Sequence, residues 1–430
     1  MNQSHQCLAL VIAAPASGQG KTTATAVLAC HFRQQGKQVR VFKIGPDFLD
    51  PMILKQASGH DVYQLDLWMV GEQDCRQLLA KAAMEADVIL IEGVMGLFDG
   101  DPSTADLAAR LDIPVLAVID GSAMAQTFGA LAYGLAHYRQ DVTVAAVIAN
   151  QVGSERHYQM LIESLPDDLP CYASLSRQNE TTLPSRHLGL IQADEITDLE
   201  QRLAHLTKQL TINDSVQLPS VTFFSQQKKS HLSPLKNVRI AVARDAAFSF
   251  IYQANIDLLE AMGAELQFFS PLHSEQLPKC DSVYFPGGYP ELHLQTLSKN
   301  TMMHAAITSH YLANKPIVAE CGGMLYLTES LTDKEGNHAP MVSLLTGHAV
   351  LQSRLTALAL QEVTLNSKSI RGHTYHHSLF ETECPAIAHA TNPNGKHCHE
   401  AVYQQRRLTA SYIHFYFPSN PAAIAELFLP

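Results

Sequence analysis

Ser17, Gly18, Gln19, Gly20, Lys21, Thr22 and Thr23 form the first stretch of the chain whose residue types imply chemistry. Glycines at 18 and 20 let backbone N–H groups turn toward phosphate oxygens, and a helix beginning here adds the positive end of its dipole. Lys21 then reaches the outer phosphates of a nucleotide, and the Thr22 hydroxyl can ligate Mg2+. Pro15 to Thr22 keeps the Walker A spacing, with Pro15 in place of the first glycine. The competing reading is a purely structural strand-to-helix turn, which rarely carries Gly-Lys-Thr-Thr.

Phosphoryl chemistry also needs carboxylates for its metal. Asp47 and Asp50 sit just after a strand-like run, in Lys43-Ile44-Gly45-Pro46-Asp47-Phe48-Leu49-Asp50-Pro51. Glu92 ends another such run before Gly93, and Asp99 follows a little further on. Acids at the carboxyl ends of parallel strands face the crevice where ligands bind in open α/β sheets. Taken singly, each of these could equally be a solvated turn acid or a helix cap.

A second chemistry lies late in the chain. Pro316-Ile317-Val318-Ala319-Glu320-Cys321-Gly322-Gly323 reads as an apolar strand, a cysteine, two glycines and a helix. This is the logic of a nucleophile elbow with sulfur for oxygen: small neighbours permit the tight turn and the strand end presents the side chain. A helix N-terminus favours the thiolate, and the Gly322 N–H is placed to stabilise an oxyanion. A second oxyanion donor is offered at Gly288 by the glycine turn in Phe285-Pro286-Gly287-Gly288-Tyr289-Pro290-Glu291. The base is sought in Ser411-Tyr412-Ile413-His414. Arg371-Gly372-His373-Thr374-Tyr375-His376-His377 and His397-Cys398-His399-Glu400 are rich in potential metal ligands, but their spacing matches no common zinc site. They are expected to be polar surface or substrate contacts.

The elements that must hold these residues follow from hydrophobic pattern. Leu8–Ala14 is a short, wholly apolar run, as a strand covered on both faces requires. A helix is expected from Gly20 to Gln35, stopped by Gly36. Further strands are expected at Gln38–Lys43, Asp87–Ile91, Ile113–Ile119 and Thr143–Ala149, separated by Ala-rich helical stretches such as Met124–Tyr138. The pattern decays between about 190 and 235, then strands return at Val238–Ala243, Leu266–Phe269, Ser282–Phe285 and Ile317–Ala319, with a helix over Phe250–Met262. The fold class is therefore α/β, a mostly parallel P-loop-type sheet followed by a second α/β domain. The expected division is 1–190, a connector at 191–235, and 236–430.

Bulk composition excludes several functions. The 430 residues are 46% apolar and 17% charged, as in globular domains, and exceed what one core accommodates. Thirty Lys and Arg against 41 Asp and Glu give a net charge of −11 without a basic run, which argues against nucleic-acid binding. No apolar run of about 18 residues suggests a membrane span. Cys7 to Ala16 has no preceding Lys or Arg and runs into the glycine loop, so it is not read as a signal peptide. Eight cysteines without a CxxC pair suit reduced thiols in the cytoplasm.

Together these segments resemble the cobyrinic acid a,c-diamide synthase family. The resemblance rests on Ala14 to Thr23, Lys43 to Pro51, Glu92-Gly93-Val94-Met95-Gly96-Leu97-Phe98-Asp99-Gly100, Phe285 to Glu291, Ala319 to Gly323, Arg371-Gly372-His373 and Ala410 to His414, in order. It implies a dethiobiotin-synthetase-like ATP-binding domain joined to a class I (flavodoxin-like) glutamine amidotransferase domain. It also implies ATP- and Mg2+-dependent amidation of the a and c acetates of a corrin polycarboxylate, with L-glutamine as nitrogen donor. By the resemblance Cys321 is the glutaminase nucleophile and His414 its base, and Asp47, Asp50, Glu92 and Asp99 fall on positions implicated in metal, ATP or acid-substrate handling, without a division of roles among them. The working expectation puts Asp47 and Glu92 with Thr22 at the metal and Asp50 and Asp99 in the reaction. Two departures are visible: His414-Phe415-Tyr416 supplies no acid after the base, and Tyr416 stands where the family often has a second histidine. Cobyrinate is the expected substrate, with hydrogenobyrinate or a nickel sirohydrochlorin as alternatives and a homodimer as an assembly allowed for. A P-loop switch of the partition-ATPase type is the rival of another class. Its signature lysine would fall at Ala16, and it leaves Cys321 and His414 without a task.

Overall fold

The computed structural model describes residues 4–177, 185–186, 189–190, 192–224, 233–393 and 397–430. The chain divides into two compact units, Met1–Lys228 and Lys229–Pro430. Each is taken in turn.

The first unit is built on one sheet. Its strand order is Leu210–Ile212, Cys171–Ser176, Val144–Val152, Val115–Asp120, Ser4–Ala13, Val88–Glu92, Val39–Ile44 and Tyr63–Leu65, and Ser220–Phe224 pairs with Ser4–Ala13 off this path. All neighbours run parallel except Leu210–Ile212 and Ser220–Phe224. The central strand is the apolar run of the sequence: Ala9, Leu10, Val11 and Ile12 are each fully buried. That is the condition of a strand covered on both faces, and burying each Leu or Val side chain contributes about 1.5–3 kcal/mol. The helix Lys21–Gln34 begins directly after Gly20 and ends before Gly36, which takes a left-handed φ of 80°.

The stretch read as a connector differs from expectation. Between 192 and 224 the chain forms the helix Leu199–Lys208 and two strands of this same sheet. Leu199, Leu203 and Leu206 recur at helical spacing and are buried, a short apolar stripe hidden in sequence by the polar residues around it. Residue 191 and the Gln226-to-Ser230 tract lie outside the described residues.

The second unit has a parallel core in the order Glu265–Phe269, Arg239–Ala243, Ser282–Phe285, Ile317–Glu320 and Leu408–Ser411. The path continues antiparallel through His397–Gln405, Ala386–Thr391, Ala357–Leu365 and Lys368–His376 to His414–Phe415. Ser411 and His414 are three residues apart in sequence, hence within about 11 Å of one another. They nevertheless sit on strands separated by four others in the sheet path. The sheet therefore curls until its last strand returns beside its middle. A smaller four-stranded sheet holds His338–Pro340, Thr328–Thr332, Leu345–Leu351 and Ser378–Glu381. Among the described residues no helix is long and apolar enough to cross a membrane.

Candidate active site

The phosphate loop turns at two left-handed glycines, Gly18 with φ 77° and Gly20 with φ 90°. Gly20 has a second constraint, because a Cβ there would overlap the Asn150 side-chain nitrogen. That amide donates to the Gln19 carbonyl at 2.9 Å, while the Gln19 side chain accepts from the Asp120 N–H at 3.0 Å. The loop is thus held from the neighbouring strand ends, leaving its own amides to face a cavity of about 480 Å³. Ser17, Gly18, Gly20, Lys21, Thr22, Thr23, Asp47, Asp50 and Glu92 all line that cavity. Gln19 is not among the lining residues and serves as the strut just described.

Charge is concentrated on the cavity floor. Lys43, on the strand Val39–Ile44, reaches Asp50 at 2.6 Å, Glu92 at 3.2 Å and Asp47 at 3.8 Å. Thr22 Oγ1 donates to Glu92 Oε1 at 2.6 Å. Burial pushes the Lys43 pKa down, but Glu92, Asp50 and Asp47 outweigh it and hold the ammonium charged. Burial, then the Asp50 charge, raises Glu92 to about 7. Asp47 and Asp50 share a hydrogen bond and part ways. Burial and its neighbour push Asp47 up, whereas Lys43 and the surrounding donors overcome burial at Asp50 and keep it ionised. The second oxygen of Glu92 is buried with no hydrogen-bond partner. An orphaned carboxylate oxygen beside a threonine hydroxyl and a phosphate-type loop is a donor set that would suit Mg2+. Among the described residues no three His, Cys, Asp or Glu side chains form a protein-only metal cluster.

Asp99 is not brought into this cavity. Its carboxylate accepts the Gly96 N–H at 3.1 Å and closes its own turn, on an exposed part of the loop. Its field reaches Lys21, after burial, Lys43, Glu92 and Asp50 have acted on that lysine. Asp99 thus closes its own turn with one oxygen, and its charge acts on Lys21 from outside the lining of the cavity.

In the second unit, Cys321 stands between the strand Ile317–Glu320 and the helix Gly322–Tyr326 with φ 43° and ψ −112°. A positive φ at a non-glycine residue carries strain, and it appears where a turn must present a side chain. Gly322 and Gly323 make the turn possible: a Cβ on Gly322 would stand 2.9 Å from Gly288 N and 2.8 Å from Pro290 Cδ, and one on Gly323 would collide with the Phe285 carbonyl. Gly288 itself has φ 155°, and a side chain there would strike the Ala247 carbonyl. The elbow and the Phe285-to-Gly288 turn are therefore packed backbone against backbone. The Gly322 N–H also hydrogen-bonds the Cys321 sulfur.

His414 reaches the same place from the curled end of the sheet. Its ring lies over the bare face of Gly287 and stacks on His373 at 5.0 Å. The Cys321 N–H donates to the Ser411 carbonyl at 2.8 Å, and Cys321 Sγ lies 4.0 Å from the Tyr375 carbonyl oxygen, on the strand paired with His414. Cys321 is 6% exposed and His414 1%. Burial first, then His373 and His376, hold His414 well below the ordinary imidazole value, so it stands neutral. Burial, then Glu291, raises the Cys321 thiol, with Gly322 opposing and Glu400 and Glu320 adding.

Two family models match the chain. The CobQ/CobB/MinD/ParA nucleotide-binding domain covers residues 10–191, and the CobB/CobQ-like glutamine amidotransferase domain covers 239–422. A hydrogenobyrinate a,c-diamide synthase of Stutzerimonas stutzeri (strain A1501) is 59% identical over 99% of this chain and 100% of its own. One of Pseudomonas aeruginosa is 57% identical over 99% and 98%, and a cobyrinate a,c-diamide synthase of Herminiimonas arsenicoxydans is 48% identical over 98% and 96%. The chain belongs to the cobyrinate and hydrogenobyrinate a,c-diamide synthase family.

In this member of the a,c-diamide synthase family, four features escaped sequence reasoning. Lys43 organises the three acids, but its position inside a strand gave no sign of function. Glu320, beside Cys321, accepts from Tyr284 OH at 2.8 Å and from the Phe415 N–H at 3.2 Å, so it ties the central strand to the strand of His414. Burial raises it to about 8 against these two donors. Tyr252 OH meets His373 Nδ1 at 2.6 Å and fixes the ring beneath His414. His376 bonds Glu400 at 2.8 Å through Nε2 and the Ser378 carbonyl at 2.9 Å through Nδ1, and stacks on Tyr412 at 3.7 Å. The surface reading of the histidine-rich segments is thus corrected for two residues: His373 and His376 are buried, whereas His399 is exposed as expected. Their clustering in sequence was the available signal; the curl that buries them was not.

Proposed function

We propose that the chain catalyses ATP-dependent amidation of the a and c acetate carboxylates of cobyrinate, with ammonia drawn from glutamine. The observation that carries the reading is that one chain holds both a phosphate cradle lined with acids and a strained cysteine elbow packed beside a buried neutral histidine. The names of its two more similar relatives favour hydrogenobyrinate as the alternative substrate.

At the elbow, Cys321 attacks the amide carbon of glutamine, and the carbonyl oxygen gathers charge where the Gly322 and Gly288 N–H groups stand. His414 takes the thiol proton and returns it to the leaving nitrogen as ammonia forms. Water then clears the glutamyl thioester, with His414 again as base. At the phosphate cradle the loop amides and Lys21 hold the outer phosphates of ATP. A substrate carboxylate attacks the γ-phosphorus and expels ADP as the bridging P–O bond breaks, giving an acyl phosphate, because oxide is a hopeless leaving group from an acid and phosphate is a good one. Ammonia displaces that phosphate and leaves the amide. Thr22 and Glu92, with Asp47 nearby, would hold Mg2+, which would neutralise charge on the phosphates. Asp50, kept ionised by Lys43, faces the reacting acid.

Seven of the cysteines, all those whose side chains are described, are free, which suits the reducing cytoplasm. The reading is tested by incubating the protein with ATP, Mg2+, glutamine and either cobyrinate or hydrogenobyrinate and weighing the products. A diamide from one or both is the expected outcome. Unchanged mass with both removes the substrate assignment.

A further inference from the structure

We propose that the Glu291 carboxylate receives the α-ammonium group of glutamine while the amide carbon lies at Cys321. The proposal rests on Cys321 being the glutaminase nucleophile.

Three acids act on Cys321: Glu291, Glu400 and Glu320. Two of them are accounted for within the fold. Glu320 is bonded by Tyr284 and the Phe415 N–H, and Glu400 is bonded by His376. Among the described residues, Glu291 accepts only from its own backbone N–H, and no other side chain bonds to it or pairs with it. Only the more distant charges of Lys334 and Asp333 reach it. Desolvation raises it to about 7, although the residue keeps part of its surface exposed.

Its place in the chain is equally specific. Glu291 lies in the short turn Pro290–His293 that follows Gly287 and Gly288 directly. Pro290 is in contact with Gly322, the residue after the nucleophile. The glycine turn that supplies an oxyanion donor therefore also delivers this carboxylate to the rim of the elbow.

An unpaired acid in that position works against the chemistry when the site is empty, because its field opposes thiolate formation. That cost vanishes if a cation occupies the position during turnover. Glutamine carries one such cation, fixed at the far end of the side chain whose amide is attacked. Its arrival pairs Glu291, cancels the field at Cys321 and so favours the thiolate only when substrate is in place. Solvent and ammonia-free cycles are then spared a reactive thiol. Glu291 is on this account a substrate-binding residue that sets the preference for an α-amino acid over a plain γ-amide.

The test compares glutamine with glutaramate, the same γ-amide and carboxylate without the α-ammonium. Ammonia release is measured for wild type, E291Q and E291D. Wild type is expected to prefer glutamine in kcat/KM by about 30-fold or more, the worth of a charge-assisted hydrogen bond. E291Q should lose that preference by dropping glutamine to the level of glutaramate, while E291D, which keeps the charge, should retain part of it. Glutamine kcat/KM in E291Q within about threefold of wild type overturns the proposal. So does a parallel fall for both amides, or an E291D variant no better than E291Q, since those outcomes mark a structural acid. C321A, assayed alongside, separates the two failures. Glutamine hydrolysis surviving in C321A removes the nucleophile assignment itself, whereas its loss there, with E291Q indifferent, removes only the Glu291 role.

Discussion

His414 lies across Gly287 so closely that a methyl group on the glycine would overlap Cε1 of the imidazole. The imidazole is positioned by an absence of side chain, with the His373 ring as its other wall. G287A should therefore displace the imidazole. A misplacement of about 1 Å costs on the order of 100-fold in rate. The expected result is that loss in glutamine-driven amidation, with ammonia-driven amidation retained. Equal rates in variant and wild type with glutamine would show that the ring position is not what matters.

The pH profile follows from the state of that ring. His414 must be neutral to accept the thiol proton, and burial with its two histidine neighbours holds its pKa well below 6.5. The acidic limb of kcat/KM for glutamine should accordingly lie below pH 6.5, since that limb reports the free enzyme's essential base. A limb centred at or above 6.5 in the glutaminase assay would contradict a buried neutral base.

Glu320 makes stability depend on pH in a defined direction. Its pKa is raised to about 8 from the ordinary 4.5, so the folded state holds its proton longer than the unfolded chain. Its contribution is complete below about pH 4.5 and is lost as pH rises through about 8. Glutamine at this position keeps a carbonyl for the Phe415 N–H without a charge to bury. E320Q should then show a shallower fall in melting temperature between pH 6 and pH 9 than wild type. Parallel melting curves across that range would show that Glu320 is not the titrating group.

Lys43 is the only side-chain cation bonded to the floor acids among the described residues. Removing one member of a buried charge cluster leaves the others uncompensated and costs about 3–5 kcal/mol. K43M should destabilise the first unit by that order in denaturant unfolding and abolish ATP binding measured by calorimetry. Wild-type stability with wild-type ATP affinity would mean the acids do not need the lysine.

Local chemistry was legible in sequence, and long-range closure was not. The glycine loop before Lys21 and the Cys321-Gly322-Gly323 elbow declare themselves because tight turns demand particular residues at fixed spacing. The parallel core strands were equally plain, being short apolar runs. Glu320 and Lys43 stood inside quoted motifs, yet each depends on partners far along the chain: Phe415 in one case, Glu92 in the other. The curl of the second sheet escaped for the same reason. Its strands Ala357–Leu365 and Ala386–Thr391 are half-exposed and mixed in composition, so no run of apolar residues marks them. His373 and His376 looked like surface histidines until that curl folded them inward. The helix Leu199–Lys208 shows the converse, a weak stripe that tertiary packing made regular.

The central claim is a division of labour between a sulfur nucleophile that releases ammonia and a phosphate cradle that consumes it. C321A with ATP, Mg2+ and the corrin substrate tests it most directly, by comparing amide formation from glutamine with that from ammonium salt at raised pH. The account predicts no amide from glutamine and near wild-type amidation from ammonia. Loss of both activities in a folded variant, or retention of the glutamine reaction, would contradict it.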